Sequence, residues 1–366
     1  MSSITAIGTA NPKYKFSQTQ LARFMVKAMQ LDSADARKLN AVFKASGIDH
    51  RYSVLEDYGL LEDFTFYPNT DNFEPFPTTS QRLKTFREYG LTLSVDAVNN
   101  LLEQVKGFDV KSLTHLIVVS CTGLYAPGLD IELVKALGLK TSILRTAINF
   151  MGCYAAFNAL KVADAFCKEK DSKVLIVCTE LCSLHFQKEF TEDNLLSNAL
   201  FSDGAASVLV EQKSSLSKRL IPEAFFSDLI TDESAAMAWG IGDFGFEMKL
   251  SSYVPSIIKK GIAQLASTLL SGLGKNLSDI NHFAIHPGGR KILENIEEAL
   301  QLKHSDNAPA YHVLKNYGNM SSPTILFVMA EIMKDLDATN NDEHVLGFAF
   351  GPGLTLESML LRIEIS

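Results

Sequence analysis

The run Thr114-His115-Leu116-Ile117-Val118-Val119, leading into Ser120-Cys121-Thr122-Gly123, has a counterpart later in the chain. That counterpart is Asn281-His282-Phe283-Ala284-Ile285, leading into His286-Pro287-Gly288-Gly289. Each reads as a buried strand ending in a glycine-containing loop. Downstream of the first, Gly152-Cys153 opens an alanine-rich helical stretch; downstream of the second, Gly318-Asn319 opens Met320 to Met333. Strand-like runs then follow at Val174 and Val345. Three features recurring in one order, at a nearly constant offset of roughly 166 to 171 residues, predict two similar halves. They place Cys153, His286 and Asn319 at equivalent strand or helix ends, where α/β folds build their sites.

Outward from this pair, strand-like and helix-length segments alternate over Leu116–Val119, Ile131–Leu137, Ala155–Phe166 and Val174–Cys178. This is the pattern of βα units in a mostly parallel sheet, so the expected class is α/β. No Pro/Gly/Ser linker or charge block divides the chain. The polar stretch Gln212 to Arg219, after the strand-like Ala206 to Val210, is the candidate boundary, giving halves of 1–215 and 216–366.

The 366 residues are 46% hydrophobic and 21% charged, a globular balance that argues against disorder or a coiled coil. A net charge of −8 gives no overall positive field for a nucleic-acid backbone. The apolar runs are strand-sized, well short of the roughly 20 residues of a membrane span. Met1 to Lys13 lacks a basic head and apolar stretch, and the expectation is a cytoplasmic protein. Five cysteines, an odd number with no export signal, are expected as thiols. Cys178 and Cys182 do not have the spacing of zinc or redox pairs, so no metal is expected.

Three residues can carry chemistry. Cys153, between Gly152 and a small-residue helical run, reads as a thiol at a helix N-terminus. The positive end of the helix favours thiolate there, and Gly152 permits a tight turn. The alternative is a buried structural cysteine, the reading kept for the other four. His286 projects from a strand end into Pro287-Gly288-Gly289, where an imidazole can pair with a thiolate or donate to a thioester oxygen; a half-buried structural histidine is the alternative. Asn319 precedes a helix, where asparagine is a favoured cap, yet beside His286 its amide would add a second neutral donor for a developing oxyanion. Gly347 to Thr355 reads as strand, Gly351-Pro352-Gly353 turn and strand, either a plain hairpin or a place for close backbone approach to a ligand.

Taken together, these motifs resemble the type III polyketide synthases, the chalcone synthase-like family within the thiolase fold. The likeness runs from Ala6-Ile7-Gly8-Thr9-Ala10-Asn11-Pro12 through Thr114 to Gly123, Pro127-Gly128-Leu129-Asp130 and Gly152-Cys153. It continues in Ala199 to Ala206, His286-Pro287-Gly288-Gly289, Tyr317 to Ser322 and Gly351 to Glu357. The resemblance implies a five-layered αβαβα fold of two similar halves and a homodimer. It implies a catalytic set of Cys153, His286 and Asn319, with acyl-CoA starter and malonyl-CoA as substrates and no cofactor. Cys153 would hold the growing chain as a thioester. His286 and Asn319 would stabilise the enolate left when malonyl-CoA loses carbon dioxide, and repeated condensation would end in cyclisation to a pyrone, resorcinol or chalcone-type product.

By the same resemblance, Phe201 and Phe246 are gate candidates between the CoA tunnel and the cavity. Ser321, Gly351, Pro352 and Gly353 belong to the substrate-binding set. Of the basic residues expected at the CoA phosphates only Lys38 carries over, because Ala41 and Ala45 replace the others. Ala126, in a loop expected to reach across the dimer, and His185 depart from the family pattern and are expected to alter starter choice. Two rivals share the fold: a ketoacyl-ACP synthase of the third kind, disfavoured by Gly351-Pro352-Gly353-Leu354-Thr355 with Glu357, and a noncatalytic scaffold. Glu180 reads as structural support.

Overall fold

The computed structural model of the chain describes residues 2–212, 214 and 216–366. The first half runs β1 (Ser3–Ala10), β2 (Tyr14–Ser17), α1 (Gln18–Ala28), α2 (Ser33–Ala45), β3 (His50–Ser53), α3 (Thr79–Gln104), β4 (His115–Ser120), α4 (Leu129–Ala136), β5 (Leu144–Asn149), α5 (Ala155–Phe166), β6 (Lys173–Leu181), α6 (Glu192–Leu200) and β7 (Asp203–Glu211). The second runs β8 (Lys218–Leu229), β9 (Met237–Gly242), β10 (Gly245–Leu250), α7 (Val254–Ser271), β11 (His282–Ile285), α8 (Arg290–Leu300), α9 (Ala308–Tyr317), α10 (Thr324–Asp335), β12 (His344–Gly351) and β13 (Thr355–Ile365). The expected boundary between residues 215 and 216 falls between β7 and β8; Ser215 itself lies outside the described residues.

Nine strands follow one another in the order β11-β12-β13-β8-β1-β7-β6-β4-β5, and β1 meets β8 at the single pair Ile4 with Leu220. Pairing repeats on either side of that join. In the first half β4 and β6 are parallel, while β6–β7 and β7–β1 are antiparallel. In the second, β11 and β12 are parallel, while β12–β13 and β13–β8 are antiparallel. α5 packs on β4, β5 and β6 and reaches β13; α10 packs on β11 and reaches β1 and β7. The two helices therefore lie between the half-sheets, with α3 outside one and α7 with α8 outside the other. This is the five-layered αβαβα thiolase fold.

Local chemistry explains the layers. α5 buries Ala155, Ala156, Ala159 and Ala163, whose small side chains let a helix sit close between two sheets. α1 starts at a capping box, with Ser17 accepting from the main chain of Gln20 and Gln20 reaching back, and buries Leu21, Phe24, Met25 and Ala28 at helical spacing. Ile131–Leu137 falls largely on helix α4, and the strand that follows, β5, escapes the sequence pattern because it is a sheet edge with Leu144, Arg145, Ala147 and Asn149 exposed and Thr146 and Ile148 only partly buried. α10 begins at Thr324, after Pro323, so Asn319 is not its cap.

Candidate active site

Cys153 stands two residues ahead of α5, on a turn that needs positive φ at Phe150 (60°) and Gly152 (81°). A Cβ on Gly152 would come within 2.6 Å of Pro352 Cδ, and one on Gly351 within 3.4 Å of the Cys153 main-chain nitrogen. Gly351-Pro352-Gly353 thus makes the β12–β13 hairpin turn and also brings backbone against the cysteine turn.

Cys153 is buried, with 8% of the residue exposed. Its sulfur lies 3.9 Å from Asn319 Oδ1, beside Ser321. Burial pushes the Cys153 thiol up to about 12; the hydroxyl of Ser321 lowers it, the field of Glu180 raises it further, and the Asn319 contact lowers it. The lowering expected from the helix end is therefore outweighed: one turn of dipole is a smaller effect than removing a thiolate from water.

His286, at the end of β11, donates its main-chain N–H to Phe348 O at 2.8 Å and turns its ring edge to Phe350, centroids 5.7 Å apart. The imidazole is fully buried, and neither ring nitrogen has a hydrogen-bond partner. Burial takes its pKa down to about 3, so it is neutral and available. Asn319 is held by a bridge to Phe201: its N–H donates to Leu200 O at 3.0 Å, and its carbonyl accepts from Ser202 N at 2.9 Å. Its Oδ1 accepts from Ser321 N at 2.8 Å, and its Nδ2 makes a long 3.3 Å bond to Gly288 O.

Cys153, His286 and Asn319 line one cavity of about 410 Å³ with an apolar wall. Phe201, Phe246, His185, Ser321 and Pro352 line it too; Ala126, Gly351, Gly353 and Lys38 do not. Ala126 sits on the surface of this chain. Gly351 and Gly353 act through backbone shape behind Pro352. Lys38 places its ammonium 5.5 Å over the Phe190 ring. His185 is fully engaged: Nδ1 accepts from Phe246 N at 3.0 Å, which leaves Nε2 to donate to Thr122 O at 2.8 Å. Its ring stacks on Phe246 at 4.2 Å and 6°, with Trp239 edge-on to both.

Glu180 is buried and accepts from Cys121 N at 2.9 Å, Thr122 Oγ1 at 2.6 Å and Ser322 Oγ at 2.7 Å. It ties the loop after β4 to the Asn319 segment. Sequence reasoning missed several wall residues: Cys121, Cys182 and Trp239, and the cations Arg51, Arg290 and Lys291. Only Arg290-Lys291 had a legible signal, standing directly after Gly288-Gly289 at a helix start.

Residues 1–213 match the N-terminal domain and residues 224–364 the C-terminal domain of the chalcone and stilbene synthases. The chain is 30% identical to the alpha-pyrone synthesis polyketide synthase-like Pks18 of Mycobacterium tuberculosis over 98% of this chain and 91% of that one. It is also 30% identical to type III polyketide synthase A of Arabidopsis thaliana over 98% and 92%. PKS-I from the brown alga Ectocarpus siliculosus superposes with a TM-score of 0.91 at 29% identity, covering 100% of this chain and 98% of that one. Matching both halves of one family in order along a duplicated thiolase fold, the chain belongs to the chalcone and stilbene synthases and is a type III polyketide synthase, an acyltransferase.

Proposed function

We propose that Cys153 carries the acyl chain while His286 and Asn319 activate malonyl-CoA, in an iterative decarboxylative condensation on an acyl-CoA starter. The observation that carries this reading is the cavity itself, where a thiol, an imidazole with two unpartnered nitrogens and a carboxamide meet from three distant points of the chain. His286 takes the thiol proton as Cys153 Sγ attacks the starter thioester carbonyl, and CoA leaves with that proton. Malonyl-CoA then loses its carboxylate as carbon dioxide, and the bonding pair moves into an enolate. The enolate oxygen takes hydrogen bonds from a His286 N–H and from Asn319 Nδ2, which exchanges its long bond to Gly288 O. The enolate carbon attacks the Cys153 thioester, thiolate leaves, and the lengthened chain returns to sulfur for another cycle before release and ring closure.

The apolar wall suits a hydrocarbon or aromatic starter and gives no reason to single out a chalcone product; pyrones and resorcinols are equally compatible with it. Arg290 and Lys291, at the start of α8 on the cavity wall, replace the missing α2 cations as the anchor for CoA phosphates. The proposed cycle consumes only CoA thioesters and calls for no metal or redox cofactor. The exposed edge strand β5 supports a homodimer, with the surface loop at Ala126 free to meet a second subunit. No helix among the described residues is long and apolar enough to cross a membrane. The proposed location, where CoA thioesters are made, is the cytoplasm. Mass spectrometry of products from malonyl-CoA with short, long and aromatic acyl-CoA starters tests the reading: extended, cyclised products are expected, and a protein that forms none from any starter overturns it.

A further inference from the structure

Arg51, on β3, is 5% exposed and lines the cavity wall, yet among the described residues no carboxylate lies within ion-pair distance of it. Asp203, the carboxylate whose field reaches it, spends its oxygens on Ser183 N, Ser183 Oγ and Val54 N. Arg51 is satisfied by dipoles instead. Its Nε donates to Gln18 Oε1 at 2.9 Å, its Nη1 donates to Phe201 O at 2.6 Å, and its guanidinium carbon stands 5.5 Å from the Phe43 ring centroid. Nη2 has no partner. A buried cation without a counter-charge is a costly way to fill space, so its retention points to what its hydrogen bonds hold.

They hold the junction on which Asn319 depends. The Phe201 carbonyl that Arg51 grips belongs to the segment whose neighbours, Leu200 and Ser202, fix the Asn319 main chain from both sides. The stem of Arg51 packs on Gly318, where a Cβ would stand 2.8 Å from Arg51 Cγ. Gln18 extends the grip, giving its amide N–H groups to Ala199 O at 2.8 Å and Ser46 Oγ at 3.0 Å. One guanidinium thus joins α1, the end of α6 and the segment carrying Asn319.

We infer that Arg51, oriented by Gln18, is a positioning residue that sets the Asn319 carboxamide and the Phe201 ring for enolate formation, without a role in acyl loading of Cys153. This rests on the part proposed above for Asn319. Removing the grip lets the Phe201–Asn319 bridge shift, and a displacement of the carboxamide of an ångström or less weakens its bond to the enolate while leaving the cysteine turn, which is built by Gly152 and Pro352, in place.

The test separates two half-reactions in Arg51→Met, Arg51→Lys and Gln18→Met, each checked for an unchanged dimer and thermal midpoint. Single-turnover transfer of radiolabelled starter to Cys153 reads loading; carbon dioxide release from malonyl-CoA reads enolate formation, with kcat and KM resolved. Arg51→Met is expected to lower decarboxylation kcat tenfold or more with KM and loading within about threefold, and Arg51→Lys and Gln18→Met to fall between it and the wild type. Should Arg51→Met not fold, the same ratio in the other two variants decides. Equal losses in both half-reactions, or no loss in either, would overturn the inference while leaving the proposed function intact. A wild type that loads starter but never decarboxylates malonyl-CoA would overturn both.

Discussion

Cys153 Sγ lies 3.9 Å from Oδ1 of Asn319, a residue 166 positions further along the chain. The contact joins the turn ahead of α5 to the segment ahead of α10, the two central helices that the duplicated half-sheets place side by side. The thiol from one repeat and the amide from the other therefore meet at the seam. Each is held by its own main-chain device, Gly152 against Pro352 for the cysteine and the Phe201 bridge for the asparagine.

Because the two devices are separate, the two half-reactions separate by mutation. Cys153→Ala is expected to abolish chain elongation and retain some malonyl-CoA decarboxylation. Asn319→Ala is expected to lower decarboxylation by roughly 10²- to 10³-fold, as for loss of one oxyanion donor, with a smaller effect on starter loading. Starter transfer and carbon dioxide release measured on each variant check this; a normal product yield from Cys153→Ala would remove the nucleophile assignment.

The resting thiol is protonated at neutral pH, since burial takes it to about 12 and the unpartnered His286 gives it no charged neighbour. Alkylation by iodoacetamide is therefore expected to rise about tenfold per pH unit between pH 7 and 10, slower at pH 7 than free cysteine. Mass spectrometry of the Cys153 peptide gives the rate. A fast, flat rate below pH 7 would instead reveal an imidazolium–thiolate pair in the resting enzyme.

Acid sensitivity follows from two histidines. Burial lowers both His185 and His286 to about 3, below the unfolded value near 6.5. The unfolded chain takes up their protons first, so the stability present above pH 6.5 is lost as pH falls from 6.5 toward 3, on the order of 3 kcal/mol per imidazole by pH 4. Denaturant midpoints measured from pH 7 to 4 are expected to fall with an uptake of about two protons on unfolding, reduced by one in His286→Gln.

The proposed role of the α8 cations on the cavity wall is to anchor phosphate. Arg290 and Lys291 both reach Glu294, at 2.9 and 3.5 Å, in exposed pairs that contribute little and exchange readily. Arg290→Ala with Lys291→Ala is expected to raise KM for acyl-CoA and malonyl-CoA about tenfold and to leave turnover of the phosphate-free pantetheine thioesters unchanged. Equal effects on both thioester types would place the CoA phosphates elsewhere.

Trp239, the chain's one tryptophan, lines the cavity with its Nε1 donating to Cys121 O at 2.8 Å. Its emission is expected to shift to the blue when an acyl-CoA starter displaces water beside it. A titration with a non-extendable starter analogue reads the shift, and Cys153→Ala should keep it, because binding precedes transfer to sulfur.

Much of this was legible before any coordinates. The strand ends at Ser120 and His286, the turn at Gly152-Cys153 and the offset to Gly318-Asn319 are local patterns, and a duplicated pattern implies a duplicated fold. Failures occurred where tertiary context overrides local preference. β5 has no apolar alternation because a sheet edge leaves its side chains outside. His185, expected to alter starter choice, does line the cavity, but that its nitrogens are spent on Phe246 N and Thr122 O is legible only in the packing. That Lys38 stands over the Phe190 ring, outside the cavity lining, is likewise not legible in its local sequence.

The amino-acid sequence by itself determined the α/β class and the two similar halves and singled out the three candidate side chains, since periodicity and turn chemistry act over a few residues; the layering came from the family resemblance. Only the tertiary structure decided their state: a protonated thiol, a neutral imidazole without partners, and an amide whose main-chain bridge partner, Phe201, accepts from a buried guanidinium of β3. Protonation and orientation depend on how much water is excluded and which distant carbonyls lie within about 3 Å. Those are properties of packing between segments, and no stretch of one segment encodes them alone.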